Sequence, residues 1–156
     1  MPQGVILPLN AILYAGTPEA GIEYEVETAT DMYPGRLVQP GTQDYQIKVG
    51  TAAGNALITG VLDVKSDVRR QASGTGPTTC NVYLVGDQTI PLRGDIVTLA
   101  VALSGQTINV GTHVEAANNG MVQALSAGKD LGYAVTAKPT NGGDGNEWIL
   151  VKWTGI

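Results

Sequence analysis

The residues best equipped for chemistry in this 156-residue chain are one histidine, one cysteine and one cluster of oxygen donors. His113 lies in "NVGTHVEA". Counted by strand alternation, Thr112 and Val114 share the face of Val110, while His113 and Glu115 take the other. A lone strand histidine beside a carboxylate reads as a surface residue, because general acid–base work needs a second group positioned by the fold. Cys80 lies in "TTCNVYLV" and reads as a small buried filler. A nucleophilic thiol requires an activating base, and nothing in the sequence sets His113 beside it. A single cysteine excludes an intrachain disulfide framework. Asn141, Asp144, Asn146 and Glu147 in "TNGGDGNEW" are donors of the kind calcium uses. The alternating Asp/Asn pattern and the distant bidentate glutamate of a calcium loop are missing, and a glycine-rich hairpin accounts for the stretch. No zinc-ligand spacing, nucleophile elbow or phosphate-cradling loop occurs. The expectation is a protein that is not an enzyme, with no cofactor and no metal site.

Recognition through charge is equally poorly served. The net charge is −5, and only 15% of residues are charged, against about 25% in ordinary soluble domains. A polyanion would be repelled, and the basic trio Lys65, Arg69 and Arg70 reads as a solvated loop or strand end, so nucleic acid is not an expected partner. Arg93-Gly94-Asp95 matches an adhesion tripeptide. Its context, "PLRGDIVTLAV", favours a turn that launches a buried strand. Hydrophobic residues make up 43% of the chain, enough for a packed core and too many for disorder.

These side chains must be positioned by strands. Sustained helical spacing of apolar residues is absent, and short runs rich in Val, Ile, Thr and Tyr alternate with Gly, Pro, Asn and Asp. "IEYEVETA" alternates apolar with acidic positions. "DYQIKVGTA", "CNVYLVG", "IVTLAVAL", "QTINVGTHVEA", "LGYAVTA" and "EWILVKW" read as further strands, with Gly86-Asp87 as punctuation and "ANNG" as a tight hairpin. The fold class expected is all-β: a short-stranded barrel or sandwich with an extended N-terminal arm and little or no helix. Residues 1–20 form the arm and 21–156 the β-rich domain, with a candidate division into two subdomains near 65–91. In the arm, Val5, Ile6, Leu7, Leu9, Ile12, Leu13 and Tyr14 are too apolar to remain in water. They should be covered by the parent domain, a neighbouring subunit or a larger partner, and are the candidate capsid or inter-subunit contacts. The run is too short and too interrupted by Pro8 and Asn10 to span a bilayer, so no membrane is expected. Residues 34–64 and 110–137 share a loose pattern of Gly-x-x-Val, turn, strand, Ala-Gly turn and glycine-bearing strand. The match needs gaps, and shared barrel grammar explains it better than internal duplication.

The turns and strands of the C-terminal half carry a family resemblance. Gly94-Asp95-Ile96-Val97, Gly111-Thr112-His113-Val114, Asn119-Gly120, Gly128 to Ala134 and the final run from Trp148 to Trp153 resemble the capsid decoration, or cement, proteins of tailed double-stranded-DNA viruses with the HK97-type shell. "YPGRLVQPGT" and "GNALITGVLDV" repeat the pattern in the first half. The resemblance implies a homotrimer on the outer surface of the virion capsid. Its partners would be the major capsid protein and itself, and its role would be to stabilise the shell by bridging capsomers. Binding only the assembled lattice stabilises that lattice by mass action, and linked copies add avidity. Two other readings stand beside it. One is another structural virion β-protein of a tail, fibre or spike base. The other is a carbohydrate- or calcium-binding β-sandwich built on Trp148, Trp153 and the 140–148 loop. The five-residue separation of the tryptophans puts them on opposite faces of a strand and speaks against a shared sugar platform.

Overall fold

The structure is a computed structural model that describes residues 13–16, 22–27, 35–44, 46–63, 85–91, 96–137 and 147–154. Among these residues the chain forms eleven strands and two short 3₁₀ turns, at Asn55–Leu57 and Asn118–Gly120, with no α-helix. The strands are β1 Leu13–Ala15, β2 Ile22–Val26, β3 Leu37–Pro40, β4 Gln46–Val49, β5 Gly60–Asp63, β6 Val85–Pro91, β7 Val97–Ala102, β8 His113–Ala116, β9 Val122–Ala124, β10 Gly132–Ala134 and β11 Glu147–Trp153. The fold is all-β, as expected, and of barrel and sandwich it takes the barrel. The strands β2-β4-β3-β5-β6 close on themselves. Closure removes the unpaired edges that short strands would otherwise expose.

The second half repeats this ring. Strands β7, β11, β10, β8 and β9 follow one another by antiparallel pairing, and β9 returns to pair in parallel with β7 at Val122 and Ala102. In both rings the first strand in sequence pairs in parallel with the third and antiparallel with the fifth. In both, the second strand lies between the third and the fourth. The register repeats as well. Val38 faces Gly60 and Val49, as Val114 faces Gly132 and Ala124. Gly60 faces Pro91 as Gly132 faces Trp153, and Val26 faces Ile47 as Ala102 faces Val122. Gly35 and Gly111 stand at the same place with φ of 85° and 87°, a left-handed conformation that favours glycine. The loose pattern shared by 34–64 and 110–137 is therefore the visible part of an internal structural repeat. Its first copy runs from β2 to β6, its second from β7 to β11, and β1 is added to the second along β7.

Two strand boundaries differ from the sequence reading. Gly86-Asp87 is not a break between strands. Both residues lie inside β6, where the pairing with β2 shifts register between Tyr24 and Glu25. A bulge absorbs the glycine without ending the strand. The run 106–116 is also not one strand. Gly111 turns the backbone at positive φ, and β8 begins only at His113. The alternation counted from Val110 is thereby broken, and Val114, Glu115 and Ala116 are all buried.

The rings share one core. Leu37, Ile58 and Val61 of the first cluster with Ile96, Ala100, Ile108, Val114, Leu131, Ile149, Val151 and Trp153 of the second. Around that core the rings meet through hydrogen bonds to backbone groups, three of them from side chains. Gly120 N–H donates to the Gly50 carbonyl at 2.8 Å, and Arg36 Nη1 to the Asn119 carbonyl at 2.6 Å. Ala52 N–H donates to Asn118 Oδ1, and Ala116 N–H to Asn55 Oδ1, each at 3.1 Å. Gly120 is fixed by both its conformation and its neighbours. Its φ is 68°, and a Cβ there would stand 2.8 Å from the Leu37 carbonyl oxygen and 2.9 Å from Arg36 Cβ. Gly120→Ala is therefore expected to destabilise the chain by about 2 kcal/mol, the sum of a left-handed alanine and a backbone displacement. Equilibrium urea unfolding of the two proteins measures it.

Candidate functional site

The groups singled out for chemistry do not converge. His113 is half exposed at the start of β8, and its Nδ1 lies 2.7 Å from Asp130 Oδ2, with the Tyr133 ring 5.7 Å away centre to centre. Asp130 Oδ1 also accepts the Gly132 N–H at 3.1 Å, so the carboxylate caps the turn into β10 while pairing with the histidine. The histidine's acidic partner is thus Asp130 and not its chain neighbour Glu115. Cys80, Lys65, Arg69, Arg70, Arg93-Gly94-Asp95, Asn141, Asp144 and Asn146 lie outside the described residues. Glu147 opens β11. Among the described residues no group of three or more His, Cys, Asp or Glu could hold a metal ion, and no helix is long and apolar enough to cross a membrane. The tryptophans face opposite sides of β11, as their spacing predicts. Trp153 is fully buried in the shared core, and Trp148 is half-buried against Gly35 of the first ring.

Of the arm residues, Leu13 and Tyr14 are described, and Val5, Ile6, Leu7, Leu9 and Ile12 lie outside. Leu13 pairs with Thr98 of β7 and packs against the core. Tyr14 is 71% exposed. The apolar run therefore leads into a strand that joins the second ring at β7, with its aromatic residue turned outward.

The residue that sequence reading missed is Glu115. It is buried, and its carboxylate holds the turn after β9. Oε2 accepts the N–H of Ser126 at 3.0 Å and of Gly128 at 2.6 Å, and Oε1 accepts Gln123 Nε2 at 2.8 Å. Desolvation pushes its pKa up, but hydrogen bonds from Ser126, Gln123, Gly128 and Ala127 outweigh it, so the carboxyl titrates below the usual glutamate value. The first ring puts Gln39 in the same seat. Its Oε1 accepts the Thr51 N–H at 3.0 Å, and Thr51 follows β4 as Ser126 follows β9. A side chain on Gly54 or on Gly128 would run into the Gln39 amide or the Glu115 carboxylate, so glycine completes the seat in both copies. The signal was present in the sequence as Gly-x-x-Val-Gln and Gly-x-x-Val-Glu, at 35–39 and 111–115.

No protein-family model matches the chain, and no curated protein matches it. What the geometry offers is surface. Among the described residues, Val110, Leu125 and Val135 are exposed on the second ring and Tyr14 on β1.

Proposed function

We propose that this protein is a capsid decoration protein of the HK97-type shell, acting as a homotrimer that binds the outer surface of the assembled capsid and bridges its capsomers. One observation carries the reading furthest. The segment that follows the apolar N-terminal run pairs as β1 with β7 and turns Tyr14 to solvent, so an added strand of the second ring carries an exposed aromatic that can meet a neighbouring surface. The turn and strand pattern of the C-terminal half, the sparse surface charge and the closed rings support it. A weakly charged surface can adhere without relying on ion pairs that salt would screen.

The test uses expanded, empty HK97-type shells. The full chain is expected to co-sediment with them and to raise their disruption temperature. Removal of residues 1–12 is expected to abolish co-sedimentation while circular dichroism stays unchanged. A full chain that leaves the shells bare in the pellet and unchanged in thermal stability overturns the reading.

A further inference from the structure

The internal repeat meets itself head to tail. The first ring contributes the end of its barrel at Gly35, Arg36 and Gly50 together with the following loop. The second contributes its β8–β9 hairpin. These are two different surfaces, so the contact is heterologous, and each chain retains one unused copy of each surface. The unused end lies on the second ring, around Gly111 and Leu125. The unused hairpin lies on the first ring, at Thr42–Asp44.

Both are open. Gly35 and Gly111 share a backbone conformation, yet a Cβ on Gly35 would strike Trp148, whereas one on Gly111 would meet nothing within 4 Å. Gly50 N–H donates to the Leu37 carbonyl as Leu125 N–H donates to the His113 carbonyl, which equates those two positions. Of the five exposed large hydrophobic residues described, Val110, Leu125 and Val135 all lie at this end of the second ring, where β8 begins and β9 and β10 finish. On the first ring, the hairpin between Gly41 and Gln46 is longer by one residue than its counterpart between Ala117 and Met121. It is held ready by Glu27, whose Oε1 accepts the Thr42 N–H at 2.6 Å. Beside it runs a groove of about 270 Å³, lined by Pro40, Thr42, Asp44 and Ile47 among others. The matching positions on the second ring are the ones covered by the loop from Gly50 to Asn55.

We propose that this groove receives the loop Leu125–Lys129 of a second copy of the chain, so that the contact inside one chain is repeated between chains. The differences between the two copies fit. Within the chain, Asn55 supplies an acceptor to Ala116 N–H. At the repeated contact Pro40 stands for Ala116 and has no N–H, and Lys129 stands for Asn55 and has no acceptor. The lysine instead enters a groove that Asp44 also lines. A heterologous contact of this kind closes into a ring when its rotation permits. The contact rests on the internal repeat alone, whatever surface the assembly binds.

The full chain is expected to sediment as an oligomer at micromolar concentration, and Leu125→Arg is expected to reduce it to monomer. Asp44→Cys and Leu125→Cys, each with Cys80→Ser and co-expressed, should yield several times more oxidised dimer than either variant alone. Positions 44 and 125 are exposed, and circular dichroism of each variant should match the parent. A monomeric parent overturns the proposal, and so does an oligomer in which the mixed cysteines crosslink no better than the single ones. A monomeric parent would also remove the homotrimer from the proposed function, whereas an oligomer without the mixed crosslink would leave it standing; shell binding itself is read separately by co-sedimentation.

Discussion

Trp153→Ala should cost about 4 kcal/mol of folding stability, near the top of the range for a buried aromatic truncated to alanine. Trp153 is the largest of the fully buried side chains described, and it lies in the cluster to which both rings contribute. Its indole Nε1 donates to Thr98 Oγ1 at 3.0 Å, and its backbone N–H donates to the Ile96 carbonyl at 3.0 Å. Alanine keeps the backbone bond, removes the indole and leaves a cavity lined by strands that closed barrels cannot easily bring together. Trp153→Phe separates the two losses. It retains most of the volume and gives up the Nε1 bond, for an expected cost of about 1–2 kcal/mol. Urea unfolding followed by fluorescence reads both variants, because Trp148 remains as reporter. The first ring has Pro91 at the matching place, opposite Gly60. Its own lining leans on the shared cluster through Leu37, Ile58 and Val61. The loss at Trp153 is therefore expected to lower the unfolding midpoint of the whole chain in one transition. A truncated protein within about 1 kcal/mol of the parent would mean that the indole is not central to the core.

The strands that could be read from sequence are those whose pattern is local. "IVTLAV" becomes β7, and "EWILVKW" becomes β11 with Ile149, Val151 and Trp153 turned inward. "ANNG" becomes the hairpin, with Asn119 at φ 60° and Gly120 at φ 68°. What sequence could not supply is long-range. The parallel pairs β2–β4 and β7–β9 that close the rings rest on one or two residue pairs each, and no local signal marks them. The repeat is carried by few identical residues, among them Gly35 and Gly111, Val38 and Val114, Gly60 and Gly132. The loops between them differ in length, so comparison of the two halves shows grammar before it shows equivalence. Glu115 carries no local signal of burial, because it is covered only when the turn at 126–128 folds over its carboxylate.

The shared seat of Glu115 and Gln39 makes Glu115 the sharpest test of the repeat. Glu115→Ala is expected to cost about 2 kcal/mol at neutral pH, because it removes the charge-assisted, part-buried bonds to the amides of Ser126 and Gly128. Glu115→Gln should be milder, about 1 kcal/mol, since Gln39 already fills the same seat in the first ring with a single acceptor oxygen. The two variants also differ in pH response. In the folded protein the Glu115 carboxyl titrates below its ordinary value of 4.5. As pH falls, the unfolded chain takes up that proton first, so stability declines with pH. The contribution is complete above the unfolded value and is lost as pH drops from about 4.5 through the lower folded value. Glu27 shifts in the same direction, through its bonds to Thr42, and is present in both proteins. The difference between parent and Glu115→Gln therefore isolates Glu115. The parent's advantage should be constant from neutral pH to the ordinary glutamate range and shrink below it. Unfolding free energies from urea melts at stepped pH measure the difference. An advantage that stayed constant through the acid range would show that the carboxylate's charge contributes nothing to holding the turn. The seat would then be explained by shape alone.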